Sequence, residues 1–164
     1  MKRLIIDQKL LSIREKFFVK DEMGNDLYEV TGSLFEIPKS FSIRNRSGVE
    51  LAKVWKKPIS FLPKFFLEIG GTQVAVIQKE FTFFKSRYHI EGQGIEIHGN
   101  LWDMNFEIFK NGHLSGRVDK EWFKIRDTYA IEIADERDEL LTLGIVLAID
   151  YVKKMEANAA AASS

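Results

Sequence analysis

No cysteine occurs in the 164 residues, which excludes structural disulfides, thiolate zinc sites and a cysteine nucleophile. Proline is limited to Pro38, Pro58 and Pro63, and charged residues make up 29%; neither a collagen-like nor a disordered chain has that composition. There is no surplus charge either. The 24 Lys+Arg balance 24 Asp+Glu, whereas a general nucleic-acid binder needs a basic excess to neutralise phosphates. Long apolar runs are also missing. The longest, Leu140 to Ile149, is interrupted by Thr142 and Gly144 and closed by Asp150, half of the ~20 residues that span a bilayer. Leu4 to Ile6 is too short for the core of a signal peptide. The expected location is cytoplasmic, at most peripheral to a membrane.

The length suits one domain, large enough to bury roughly 70% of the unfolded chain's surface. Its expected extent is 1–155, with 156–164 a low-complexity tail that frays. Short strand-like runs separated by turn residues fill the chain to about residue 133. Phe17–Lys20 and Leu27–Thr31 flank Met23-Gly24-Asn25-Asp26; Phe41–Arg44 and Leu51–Trp55 flank Asn45-Arg46-Ser47-Gly48. Phe65–Ile69 and Val74–Ile77 meet through Gly70-Gly71-Thr72, and Phe106–Phe109 meets Leu114–Val118 across Asn111-Gly112. Asn-Gly is a strong hairpin signal because both turn positions need positive φ. No helix-period segment lies between these runs to act as a parallel crossover, so the expectation is antiparallel all-β, a sandwich or a barrel.

The period then changes. Asp138 to Met155 reads as a helix, with Asp135, Glu136, Asp138 and Glu139 at its start and Lys153 and Lys154 at its end, charges that suit the macrodipole. Leu143 to Ile149 carries no polar side chain over about two turns. A helix apolar on all sides must be surrounded. A β-barrel closed around the helix meets that requirement and disposes of the sheet edges as well.

The segments Lys16–Asn25, Ser60–Phe66 and Asp138–Asp150 resemble the LURP-one-related proteins of bacteria and plants, in the compact bacterial form. The resemblance implies a mainly β fold: a closed 12-stranded antiparallel barrel around a buried hydrophobic C-terminal helix, similar to the C-terminal domain of Tubby and to the phospholipid scramblases. Tubby domains bind phosphoinositide headgroups through basic residues outside the barrel, and scramblases bind calcium. Neither motif transfers here residue by residue, although Asp135, Glu136, Asp138 and Glu139 lie near the place of the scramblase calcium segment.

Chemical motifs are sparse. His89, His98 and His113 lack ligand spacing. Ser115-Gly116 is not part of a nucleophile elbow. Gly92-Gln93-Gly94 precedes the strand-like Ile95–His98 rather than a helix, so it reads as a β-turn and not a dinucleotide loop. No catalytic residue, metal or cofactor is expected, and the domain reads as non-enzymatic. If Phe81–His89 is one strand, Phe81, Phe83, Lys85, Arg87 and His89 share a face on which bases could stack, but the balanced charge argues against nucleic acid. Between Lys39 and Lys64, seven basic residues face the single acid Glu50. Within it Lys53, Lys56, Lys57 and Lys64 flank Trp55, Phe61 and Leu62, with Pro58 and Pro63 stiffening the loop. These four lysines are the candidate site for an anionic lipid headgroup or similar anion. The competing expectations are that Trp55, Phe61 and Leu62 are barrel core or cap with the lysines merely solubilising, and that the barrel is a protein-binding scaffold indifferent to lipid. Oligomeric state is left open.

Overall fold

The computed structural model describes residues 1–7, 16–33, 39–81, 87–92, 94–120 and 128–163. Twelve strands follow one another: β1 (Lys2–Asp7), β2 (Lys16–Lys20), β3 (Asp26–Ser33), β4 (Ser40–Arg44), β5 (Glu50–Lys56), β6 (Lys64–Ile69), β7 (Thr72–Glu80), β8 (Arg87–Glu91), β9 (Ile95–Asn100), β10 (Asn105–Lys110), β11 (His113–Asp119) and β12 (Thr128–Ile133). A 3-10 turn, Glu136–Asp138, leads into the helix α1, Glu139–Ala162.

The strands form one antiparallel sheet in the order β8-β7-β6-β5-β4-β3-β2-β1-β12-β11-β10-β9. The ladder from β1 to β12, in which Lys2 pairs with Ile133 and Asp7 with Thr128, joins the start of the chain to its last strand. Closure is nearly complete rather than full. The consecutive strands β8 and β9 stand at the two ends of the sheet with no ladder between them among the described residues. The hairpins read from the sequence all form, and at the Asn-Gly turn Asn111 has φ 50° and Gly112 φ 77°. Trp102 lies in the bend before β10, as its polar neighbours suggest.

Alternation decides what lies inside. On β2, Phe17 and Val19 are buried between half-exposed or exposed neighbours; on β6 the buried pair is Phe65 and Leu67, the period-2 pattern of a wall with one dry face. That face closes on α1, whose residues 141–150 are all buried. Contacts on several sides place the helix centrally. An added Cβ at Gly144 would lie 2.6 Å from Leu67 Cδ1 of β6, and one at Gly116 of β11 would lie 2.7 Å from Thr142 Cγ2. Tyr151 meets the rings of Phe41 (β4) and Phe65 (β6) edge-on, at 5.4 and 5.8 Å. Beyond Met155, where the sequence suggests fraying, the structure stays helical to Ala162. Alanine is the strongest helix former, and Glu156 is tied to Lys79 of β7 by an ion pair.

Because neighbouring strands are antiparallel, odd-numbered strands finish, and even-numbered strands begin, at the same end of the barrel. The helix enters at the opposite end, after β12, and leaves at this one. At the entry end the described connections are mostly tight turns, such as 70–71 and 111–112. The exit end carries the longer 57–63 connection and the 101–104 bend.

Candidate functional site

The basic segment maps onto β4, β5 and β6. On β5, Ala52 and Val54 point inward, so Lys53 and Trp55 stand on the outer wall, and Lys57 continues that face just past the strand. On β6, Lys64, Phe66 and Glu68 share the outer register. Trp55 and Phe66 stack across the pair, with ring centroids 4.2 Å apart, and Lys64 Nζ sits 5.9 Å from the centre of Phe66. The four candidate lysines are therefore not one surface. Lys56 takes the inward register, opposite Phe65, and stands at the rim. Lys53 lies mid-wall, opposite Glu68 in register without an ion pair. What gathers at the exit end is Lys56, Lys57, Lys64 and Lys39, held by bonds from Lys56 N to Lys39 O and from Lys57 N to Lys64 O, both 2.8 Å.

Ion pairing separates this group from the other cations. Elsewhere Lys2, Arg3, Lys16, Lys20, Lys79, Lys110, Arg117, Arg137 and Lys154 are all in salt bridges. Among the described residues none of Lys39, Arg44, Arg46, Lys53, Lys56, Lys57 and Lys64 forms one, and the carboxylate of Glu50 accepts from Ser42 instead, at 2.6 Å. The three other described cations outside salt bridges, Arg87, Lys120 and Lys153, also lie at the exit end. Burial lowers the Lys153 ammonium below its usual range, and the nearby Lys120 charge lowers it further. Against these cations stand Glu80, Asp103 and Asp119 at the same end.

Phe61 in the loop is not core. Phe61 is 94% exposed and Ile59 88%, between the two prolines that bound the connection from β5 to β6. The sequence places Lys39 in the basic segment but not in the candidate site, gives no sign that Ile59 and Trp102 belong to this end, and puts Phe81 in another segment. Only the order of strands around the barrel brings them together. Pro38 lies outside the described residues.

Other candidates resolve differently. Phe81–His89 is not one strand: Glu80 of β7 pairs with Arg87 of the neighbouring antiparallel strand β8, so Phe81 and His89 do not share a strand face. Phe83 and Lys85 lie outside the described residues. His89, His98 and His113 are exposed on β8, β9 and β11, and His98 faces Glu96 at 3.1 Å. Ser115 is buried and donates to Asp138 at 2.9 Å.

Three of the four acids at the helix start, Asp135, Asp138 and Glu139, have partners of their own. Asp138 also accepts from Lys110 at 2.7 Å. Glu139 accepts from Lys2 at 2.8 Å and from the Tyr28 hydroxyl at 2.5 Å; burial and the bond to Glu139 hold that phenol well above its usual range. Asp135 caps the 3-10 turn by accepting from Arg137 N at 3.0 Å, and the Arg137 side chain draws its carboxyl down to about 2. These carboxylates face lysine, arginine, serine and tyrosine donors, and no cluster that could hold a metal occurs among the described residues. No helix among those residues is long and apolar enough to cross a membrane.

Comparison with known proteins agrees with the architecture. The chain is 31% identical over 152 residues, 93% of its own length and 94% of the relative's, to the uncharacterised protein YxjI of Bacillus subtilis strain 168. An X-ray structure of an Arabidopsis thaliana protein superposes with a TM-score of 0.59 at 10% identity, covering 92% of this chain and 90% of the other. The family model described as LURP-one-related matches residues 2–150. The chain belongs to the LURP-one-related family.

Proposed function

We propose that this domain is a non-enzymatic, Tubby-like module that binds anionic lipid headgroups at the exit end of its barrel, as a cytoplasmic protein peripheral to the membrane. One observation carries the reading: of the ten described lysines and arginines outside salt bridges, seven (Lys39, Lys56, Lys57, Lys64, Arg87, Lys120 and Lys153) lie at that end. Nine other cations fold onto carboxylates of the same molecule. These seven form no ion pair with a described carboxylate, which leaves them open to an external anion.

The attraction is of useful size. A lysine or arginine near an anionic membrane surface contributes about 1 kcal/mol. Reversing Lys53, Lys56, Lys57 and Lys64 to Glu removes at least about 4 kcal/mol on that scale, roughly a thousandfold in affinity. Lys53, mid-wall, carries the smallest share.

Sedimentation with vesicles tests this directly, using neutral phosphatidylcholine against the same lipid with phosphatidylserine or phosphoinositides, at low and physiological salt. The expected result is binding that needs the anionic lipid, weakens as salt rises, and is lost in the fourfold Glu variant while its melting temperature holds. Indifference of the wild-type protein to every lipid would overturn the reading and turn attention to a protein partner of the barrel.

A further inference from the structure

Among the described residues, the large exposed side chains at the exit end come from three separate connections. Ile59 and Phe61 sit between β5 and β6, Phe81 follows β7 at 66% exposure, and Trp102 lies between β9 and β10 at 52%. Around the rim the sheet runs β5, β6, β7, β8, and β9, followed by β10, stands beside β8 across the seam. These four residues thus follow one another along one half of the rim. The helix leaves the barrel against the same arc: Glu156 pairs with Lys79 of β7, and Lys153 Nζ lies 6.0 Å from the centre of the Trp102 ring. From Ala157 onward the chain carries no charged side chain, and the exposed helical extension to Ala162 projects about 9 Å.

Resting on the headgroup reading, we infer that this arc inserts into the boundary between headgroups and acyl chains, so that the barrel docks end-on, with the C-terminus of its helix toward the bilayer and Phe61 at the leading point. Apolar side chains ringed by lysines select the occupant. The core of a protein interface is depleted of lysine, whereas an anionic bilayer takes apolar groups below its headgroups and cations among them. Pro58 and Pro63 bound the inserting loop, which restricts the backbone freedom lost on docking.

The lack of cysteine makes the test clean. Phe61→Cys and, at the entry end, the equally exposed Met23→Cys each accept one environment-sensitive fluorophore. With phosphatidylcholine–phosphatidylserine vesicles the label at 61 should shift to the blue and be quenched by lipids spin-labelled just below the headgroup, while the label at 23 stays unchanged. Unlabelled Phe61→Asp should bind about tenfold more weakly at physiological salt, with wild-type melting behaviour. Sedimentation of wild-type protein with those vesicles, together with an unmoved label at 61 and full affinity in Phe61→Asp, would overturn insertion and leave headgroup binding standing. Failure of wild-type protein to sediment would overturn both.

Discussion

Glycine at position 144 interrupts an apolar helix and costs it about 1 kcal/mol relative to alanine. From the sequence alone it has no reason to be there; the barrel supplies one. Leu67 is fully buried, and its two methyl carbons come within 2.6 and 2.9 Å of where a Cβ would stand. Gly144→Ala gains helix propensity but overpacks a filled core, a penalty of about 1–3 kcal/mol, so a net loss of about 1 kcal/mol is expected. Leu67→Val should then act with opposite sign in the two backgrounds. In the wild type it removes buried volume and destabilises by about 1 kcal/mol; combined with Gly144→Ala it relieves the contact and stabilises. Urea denaturation of the four proteins measures this, and an equal cost in both backgrounds would show that Leu67 is not what the glycine accommodates. The acids at the helix start carry a related lesson. Their number fitted the macrodipole, but that Asp138 would meet Lys110 and Ser115, and Glu139 would meet Lys2 and Tyr28, depended on partners up to 137 residues away.

At the scale of elements, what was legible was local. Hairpins follow from turn chemistry within a few residues, and Gly70-Gly71 and Asn111-Gly112 adopt the positive φ their turns need. The break between Phe81 and His89 was not legible, because aromatic and basic residues continue across it and neither glycine nor proline marks it. Nor does any local pattern announce that β8 and β9 leave a seam. The helix was legible because its polarity is a statement about surroundings: with no hydrophilic face over Leu143–Ile149, it had to be enclosed. That enclosure predicts that Ile145→Asp and Leu147→Asp each abolish folding. The two positions point about 160° apart around the helix, so a helix lying on one face of a sheet would tolerate at least one. Here both are buried, and an unpaired charge at either costs several kcal/mol out of a total stability of about 5–15. Loss of the cooperative melt by circular dichroism in both is the expected result. Ala157→Asp, on the exposed part of the same helix, should melt like the wild type. Tolerance of Asp at 145 or 147 would contradict a central helix.

For the whole molecule, composition and position give different answers about charge. The net charge is zero, with residues 1–64 at +5 and the remainder at −5, yet neither figure says where in space the cations stand. Arg46 and Lys57 come from the same basic segment, both exposed and both outside ion pairs. Strand β5 separates them: Arg46 sits in the turn before it, at the entry end, and Lys57 just past its last residue, at the exit end. Seven strand residues put about 20 Å between the two ends, more than twice the Debye length of about 8 Å at physiological salt. Arg46→Glu and Lys57→Glu change the net charge identically. If the protein were drawn to anionic vesicles by its overall charge, the two variants would lose affinity together at every ionic strength. Docking by the exit end predicts otherwise. At physiological salt Lys57→Glu should bind about tenfold more weakly than wild type and Arg46→Glu almost unchanged. At about 10 mM salt, where screening reaches ~30 Å, the difference should narrow as the far charge begins to count. A vesicle titration of both variants at the two salt concentrations reads this directly, and equal losses at physiological salt would remove the exit end from its assigned role.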